Sequence, residues 1–365
     1  MPTLTPPLPR TMTVAACTPE GGVRLESRPL PEPGPGELRL RLRGAGLCGT
    51  DLFKLRYGTA AEGMVLGHEV VGTVDALGPG TVGFLPGDRV VVPHHVACGE
   101  CDLCLRGSET LCPVFRENLL VPGGFAEHIL VRERAVRLAT FSLPGHLADE
   151  AAVFLEPAAC VLRGLRHARL EETALPTSLE GHGPVAAVLG GGSMGLLHLL
   201  VARALFPDVR IVISDPLPER RALALRLGAD AAAAPGQEVR QAVAGLSGGR
   251  GADVIFDTAG GARALDEALG LTREGGAVVL FAHGAENETA GFGLNTFFKG
   301  ERRLLATYSS SLADQRDIYR LLVSGRLDPS PLVTHRLPLS RFGEAVSLAR
   351  DQQALKVLLI PEETP

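Results

Sequence analysis

Gly190-x-Gly192-x-x-Gly195 stands between an apolar run, Val185 to Leu189, and an alanine- and leucine-rich run, Met194 to Phe206. A strand that turns on glycines straight into a helix is half of a βαβ unit. The missing side chains let backbone approach a pyrophosphate, whose charge the helix N-terminus favours. Asp215 follows twenty residues after Gly195, at the end of the next apolar run, Val209 to Ile213. An acid there accepts hydrogen bonds from an adenosine ribose and repels a 2′-phosphate, which points to NAD rather than NADP. Ser193 and Met194 in the turn join the candidate cofactor-binding residues, as does Arg220, although Arg220 and Arg221 beside Asp215 pull the other way on NADP.

The texture around this motif extends the prediction. Strand-length apolar runs at Val254 to Phe256 and Ala277 to Phe281 alternate with helical runs at Glu219 to Leu227 and Ala262 to Leu271. Strands that are apolar throughout, alternating with helices, predict a doubly wound parallel sheet. The first third reads differently. Thr13 to Ala16, Leu38 to Leu42, Val70 to Val74 and Arg89 to Val92 are short strands, with Pro31-Glu32-Pro33-Gly34-Pro35-Gly36 and Pro86-Gly87-Asp88 as turns. They imply a β-rich, barrel-like domain. Strand character is expected again over Gly124 to Val136, then a helix over Leu147 to His167 that Pro157 kinks or restarts. The tail predicts a helix from about Asp314, a strand near Leu337, a helix over Glu344 to Arg350 and a last strand over Lys356 to Ile360.

Hydrophobic content of 45% with 21% charged residues reads as a soluble globular protein with ample core. A net charge of −5 with scattered basic residues gives no nucleic-acid surface. The proline-rich start, Met1 to Arg10, lacks the plan of a signal peptide, and Gly190 to Gly192 and His198 break the longest apolar stretch, so neither secretion nor a membrane role is expected. The expected location is the cytoplasm.

Four of the seven cysteines fall in Cys98-x2-Cys101-x2-Cys104-x7-Cys112. Four thiolates at this spacing close a tetrahedral structural zinc site with no position left for substrate. An iron–sulfur cluster or four free thiols are the rivals; Cys112-Pro113 imitates a ferredoxin ending, but the last gap is too long. A second constellation, Cys48 and then Gly67-His68-Glu69, offers two zinc ligands and a spare carboxylate. A catalytic zinc needs three protein ligands and one open position. Glu156, Cys160 and Glu69 are the candidates to complete it, and spacing does not choose among them. Zinc beside a nicotinamide suggests hydride chemistry, the metal lowering the pKa of an alcohol as hydride leaves.

Taken together, Cys48-Gly-Thr-Asp51, Gly67-His68-Glu69, the four-cysteine lobe, Gly124-Phe125-Ala126-Glu127, Glu156-Pro157, the Gly190 fingerprint and Lys356-Val357 resemble the medium-chain zinc-dependent alcohol dehydrogenases, over nearly the whole chain. The branch resembled is that of sorbitol, other polyol and threonine dehydrogenases. The resemblance implies that Glu156 is the third ligand beside Cys48 and His68, and that Glu69 is the carboxylate that sits next to, or exchanges into, the metal's open position. It implies a GroES-like catalytic domain over 1–160, with its zinc lobe at 93–115, a Rossmann domain over 161–308, and a return over 309–365 to complete the first. It also implies two zincs per chain and a homo-oligomer, dimer or tetramer. Thr50 matches the first member of the family's proton relay, whereas the histidine that relatives carry five positions after the cysteine is here Phe53, which does not titrate. Lys54, the ribose hydroxyls or water are left to continue the relay, and His94 and His95 are expected to be loop residues outside it.

The expected activity is transfer of a hydride to NAD from a secondary hydroxyl of a polyol, sugar or amino-alcohol-like small molecule. The alternatives are a simple alcohol dehydrogenase or aldehyde reductase, and a non-catalytic NAD-binding protein with a structural zinc.

Overall fold

The computed structural model describes residues 11–170 and 183–362. The proline-rich stretch from Met1 to Arg10 lies outside the described residues. The chain divides into two compact units, one running to Glu156 and resuming at Pro329, the other covering Pro157–Asp328. The second unit therefore extends to Asp328 rather than 308. The reason is the helix Leu312–Val323, whose Asp314 accepts from Arg166 at 2.5 Å while Asp317 accepts from the same guanidinium at 2.6 Å.

In the second unit six parallel strands lie in the order Ala231–Ala233, Arg210–Ser214, Val185–Leu189, Ala252–Asp257, Thr272–Leu280, Arg303–Ala306. The order reverses beside Val185–Leu189, and the carboxyl ends at such a switch point are where open α/β sheets bind ligands. All five residues of Val185–Leu189 are buried, as a central strand covered on both faces demands. The stretch from Val185 to Phe206 is thus a strand, a turn and the helix Ser193–Leu205. Among the described residues no helix is long and apolar enough to cross a membrane. Gly195 lets that helix approach the turn: a Cβ there would stand 1.8 Å from the Gly190 carbonyl oxygen.

The first unit is built on a curled sheet that runs Val333–Pro338, Lys356–Ile360, Leu38–Gly46, Glu69–Leu77, Arg89–Pro93, Phe141–Ser142. Two strands from the end of the chain thereby complete a sheet begun near its start, with Leu358 opposite Gly46 and Gly46 opposite Glu69. Alternation in Leu38–Gly46 buries Leu38, Leu40 and Leu42 and exposes Arg41 and Arg43. Arg39 is the exception, 1% exposed, and its guanidinium pairs with Asp75 at 2.9 Å.

Two local expectations need correction, and one element is new. Gly124 to Val136 is not strand throughout: the strand His128–Val131 gives way to the helix Glu133–Ala139, which buries Ala135, Val136 and Ala139. Instead of one helix from Leu147 there are two, Asp149–Ala152 and Leu155–His167; the break precedes Leu155, and Pro157 falls in the first turn, where its missing N–H costs no bond. Finally, Cys48 leads into a helix, Gly49–Tyr57, that the apolar pattern did not announce.

Gly195→Ala should destabilise the chain by about 1–3 kcal/mol, because the added methyl forces helix and turn apart. The check is the urea unfolding midpoint; an unchanged midpoint would show that the turn accommodates the methyl.

Candidate active site

The stretch that matters most for chemistry is the start of Gly49–Tyr57. Cys48 is its N-cap, and the Cys48 N–H donates to Asp51 Oδ2 at 3.1 Å, so the thiol is fixed by the same carboxylate that starts the helix. Asp51 is fully buried, and its other oxygen lies 3.3 Å from His68 Nδ1 and accepts the Gly67 N–H at 3.4 Å. His68 is thereby oriented with Nε2 left for a metal, the usual arrangement of a ligating imidazole whose second nitrogen meets a carboxylate. Burial alone would raise the Asp51 carboxyl, but the His68 ring and the Cys48 and Gly67 backbone outweigh it and hold it below its usual value. Burial likewise pulls the His68 imidazole down, and the charges of Asp51 and Cys48 push it well above the ordinary histidine value. A site that stabilises positive charge where a thiolate and an imidazole converge is one that a divalent cation fits.

The ligand atoms of Cys48, His68 and Glu69 lie within 4.8 Å of one another. Glu69 is 0% exposed, and both its oxygens accept from Lys356 Nζ at 2.7 Å. Burial pulls the Lys356 ammonium down, but Glu69 and then Cys48 reverse the effect and leave it above its ordinary value. Glu156 is buried in the first turn of Leu155–His167, and Cys160 follows one turn later, half-buried. Thr50 is half-buried in the first turn of Gly49–Tyr57, and the Phe53 ring packs tilted against Tyr57 with ring centroids 4.5 Å apart. His94 and His95 follow the strand Arg89–Pro93 and form a ring stack, His68 to His94 at 4.6 Å, His94 to His95 at 3.6 Å and His95 to Phe115 at 5.0 Å. Burial first, then the neighbouring cations, takes His94 well below its usual value and His95 to about 3. Both rings are neutral near pH 7, so neither supplies a proton as imidazolium.

In the lobe, Sγ of Cys98 lies 3.8 Å from that of Cys104 and 3.6 Å from that of Cys112, and Cys101 and Cys104 are 3.5 Å apart. With metal–sulfur bonds of about 2.3 Å, tetrahedral zinc puts its sulfurs roughly 3.8 Å apart. All seven cysteines are free, so no disulfide explains the clustering. Backbone N–H groups of Glu100 and Cys101 lower the Cys98 thiol to about 6, whereas burial and then the neighbouring thiols push Cys104 up to about 12. Such a group ionises fully only around a cation. Apart from Ala97, Val114, Phe115 and the sulfurs, little apolar material holds the lobe together, which suits a structural metal.

At the cofactor turn, Asp215 Oδ2 accepts the Gly191 N–H at 2.7 Å and Oδ1 the Leu217 N–H at 2.9 Å. Gly192 caps the helix Ser193–Leu205, with Ser193 and Met194 in its first turn. Arg220 Nη1 is 3.8 Å from the same carboxylate, while Arg221 is spent on the carbonyls of Asp215 and Pro216, at 2.8 Å each.

Comparison with known proteins gives this geometry a context. Residues 34–140 match the family model of the alcohol dehydrogenase GroES-like domain, and 193–324 that of the zinc-binding dehydrogenases. An L-threonine 3-dehydrogenase of Anaeromyxobacter sp. is 30% identical over 93% of this chain and 96% of its own. The chain belongs to the zinc-dependent medium-chain dehydrogenases. Sorbitol dehydrogenase of Bacillus subtilis is 28% identical over 98% of this dehydrogenase and 99% of its own length. Among solved structures, the alcohol dehydrogenase TADH from Thermus sp. ATN1 superposes with a TM-score of 0.82 at 31% identity, covering 96% of this chain and all of that one.

Two residues of this dehydrogenase's site lay inside motifs without being read as functional. Asp51 closes the Cys48-Gly-Thr-Asp51 motif, where its three-residue spacing from Cys48 was a capping signal. Lys356 pairs across 287 positions with Glu69 and carried no local signal. Asp51→Asn removes the charge that orients His68, and metal affinity at Cys48 and His68 should fall about 10–100-fold with the fold intact. Competition with a chromophoric zinc chelator measures it; unaltered affinity would deny Asp51 that role.

Proposed function

We propose that the protein is an NAD-dependent zinc dehydrogenase that oxidises a secondary hydroxyl of a polyol, sugar or amino-alcohol-like small molecule. The observation that carries the reading is the meeting of Cys48, His68 and Glu69 within 4.8 Å, in a chain whose relatives include sorbitol and L-threonine 3-dehydrogenases; Glu156, outside that cluster, is carried over from the family likeness. Cys48, His68 and Glu156 hold the catalytic zinc, and Cys98, Cys101, Cys104 and Cys112 a structural one. Bound there, the first zinc supplies a Lewis acid that lowers the pKa of a hydroxyl. Thr50 receives the proton from that hydroxyl, since its side chain both accepts and donates. With Phe53 in place of a titrating residue and His94 and His95 held neutral, Lys54, the ribose hydroxyls or water carry the proton onward. Gly190, Gly192 and Gly195, with Ser193 and Met194, cradle the pyrophosphate at the helix N-terminus. Asp215 takes the ribose hydroxyls, and Arg220 flanks it. The working form is a homo-oligomer.

A second reading, oxidation of simple alcohols, is favoured by the likeness to the Thermus enzyme, which is named an alcohol dehydrogenase. Purified protein assayed for NAD reduction across polyols, L-threonine and simple alcohols separates the two, and turnover of simple alcohols alone would displace the first.

Metal analysis tests the ligand sets. Wild type should hold two zincs per chain, whereas Cys48→Ser and Glu156→Ala should each keep one and lose at least 10³-fold in kcat, on the order of what losing a metal's electrostatic role costs. Glu156→Ala with both zincs retained would remove Glu156 from the ligand set. For the cofactor, Asp215→Ala should bring the ratio of kcat/KM for NAD over NADP down at least tenfold, as loss of one repelling carboxylate near a phosphate implies. A ratio that stays put would assign the preference elsewhere.

A further inference from the structure

The four-cysteine lobe leaves the sheet after Arg89–Pro93 and returns to it at Leu120–Val121. Among the described residues no backbone hydrogen bond joins 94–97 to 113–117, so the neck of this loop is not closed the way a ladder closes a hairpin. One side chain spans it instead. Arg134, in the first turn of Glu133–Ala139, donates from Nε to the Val96 carbonyl at 3.1 Å and from Nη2 to the Val114 carbonyl at 2.7 Å. Its remaining nitrogen, Nη1, meets Glu117 Oε2 at 2.8 Å. Val96 stands two residues before Cys98, and Val114 two residues after Cys112. The guanidinium thus grips the chain where it enters the lobe and where it leaves. A planar fork holds two acceptors at a fixed separation, which a single ammonium on a flexible stem does not. Joining the ends of a loop also removes entropy that metal binding would otherwise have to remove.

We propose that Arg134 is a positioning residue for the lobe, holding its neck shut so that the four sulfurs stay gathered and a metal among them leaves slowly. This rests on the reading of Cys98, Cys101, Cys104 and Cys112 as a zinc site. Arg134 acts through the backbone at both ends of the loop. Without it the ends part, and the ligands can let go of the metal one at a time.

Zinc release to a chromophoric chelator measures the effect without turnover. The Cys48→Ser chain, which carries only the lobe's zinc under the same reading, is the background. Added to it, Arg134→Gln should speed release about tenfold, the low end of what partners outside a metal's ligand shell are worth. Arg134→Lys keeps the charge and the stem but offers one nitrogen to two carbonyls. It should also release zinc faster than the background, a measurement that stands even where Arg134→Gln does not fold. In the chain with Cys48 intact, Arg134→Lys should leave release of the second zinc unchanged. Lobe zinc released from the variants at the background rate overturns the inference, and so does an equal gain in release at both sites, which marks general loosening. Either result leaves the zinc reading standing. A Cys48→Ser chain that holds no zinc overturns both the inference and the four-cysteine ligand set beneath it.

Discussion

Asp51 is the buried charge on which the first unit's chemistry depends. One carboxylate accepts the N–H that starts the helix at Gly49, holds the imidazole of His68 and receives the backbone of Gly67. Each contact would be weak in water. In a site closed to solvent they reinforce one another, because a carboxylate without partners there would be costly. The thiol and the imidazole are brought together by one acid rather than by two separate local preferences. Glu69 is steadied by the same logic with a different partner, the ammonium of Lys356. The site is thus a pair of buried carboxylates, Asp51 holding the His68 ring and Glu69 the Lys356 ammonium.

How much of this could be read from residues alone follows from the range of the interactions. The Gly190 turn and its strand and helix were legible because they are local: Val185–Leu189 and Ala262–Leu271 have the limits that apolarity set. The four-cysteine lobe was legible for the same reason, its ligands separated by short gaps. The helices Gly49–Tyr57 and Glu133–Ala139 were not, since seven to nine residues hold too few turns to display a period, and both gain their stability from packing. The choice of Glu156 among the three candidates came from family likeness; its own neighbourhood in sequence left Cys160 and Glu69 equally open. Lys356 was quoted only as part of a motif, and its partner, on a strand from the other end of the chain, gave no sign before the sheet was assembled.

The second unit illustrates a different limit. Its doubly wound parallel sheet followed from strand–helix alternation, but the assignment of residues 309 to 328 did not. The pairs that tie Leu312–Val323 to Leu155–His167 involve Arg166, Asp314 and Asp317, which in sequence read as ordinary solvated charges. Surface-type residues can set the limits of a unit when they are half-buried and share partners.

The cysteine lobe has a consequence for how the enzyme ages. Without a metal, backbone N–H groups draw the Cys98 thiol down to about 6, and two further sulfurs lie within 3.8 Å of it. A thiolate beside a thiol is what peroxide converts to a disulfide through a sulfenic acid. With the proposed zinc in place the four sulfurs would be committed to the metal; once oxidised, they would need a reductant before they could take a metal again, electrons before metal.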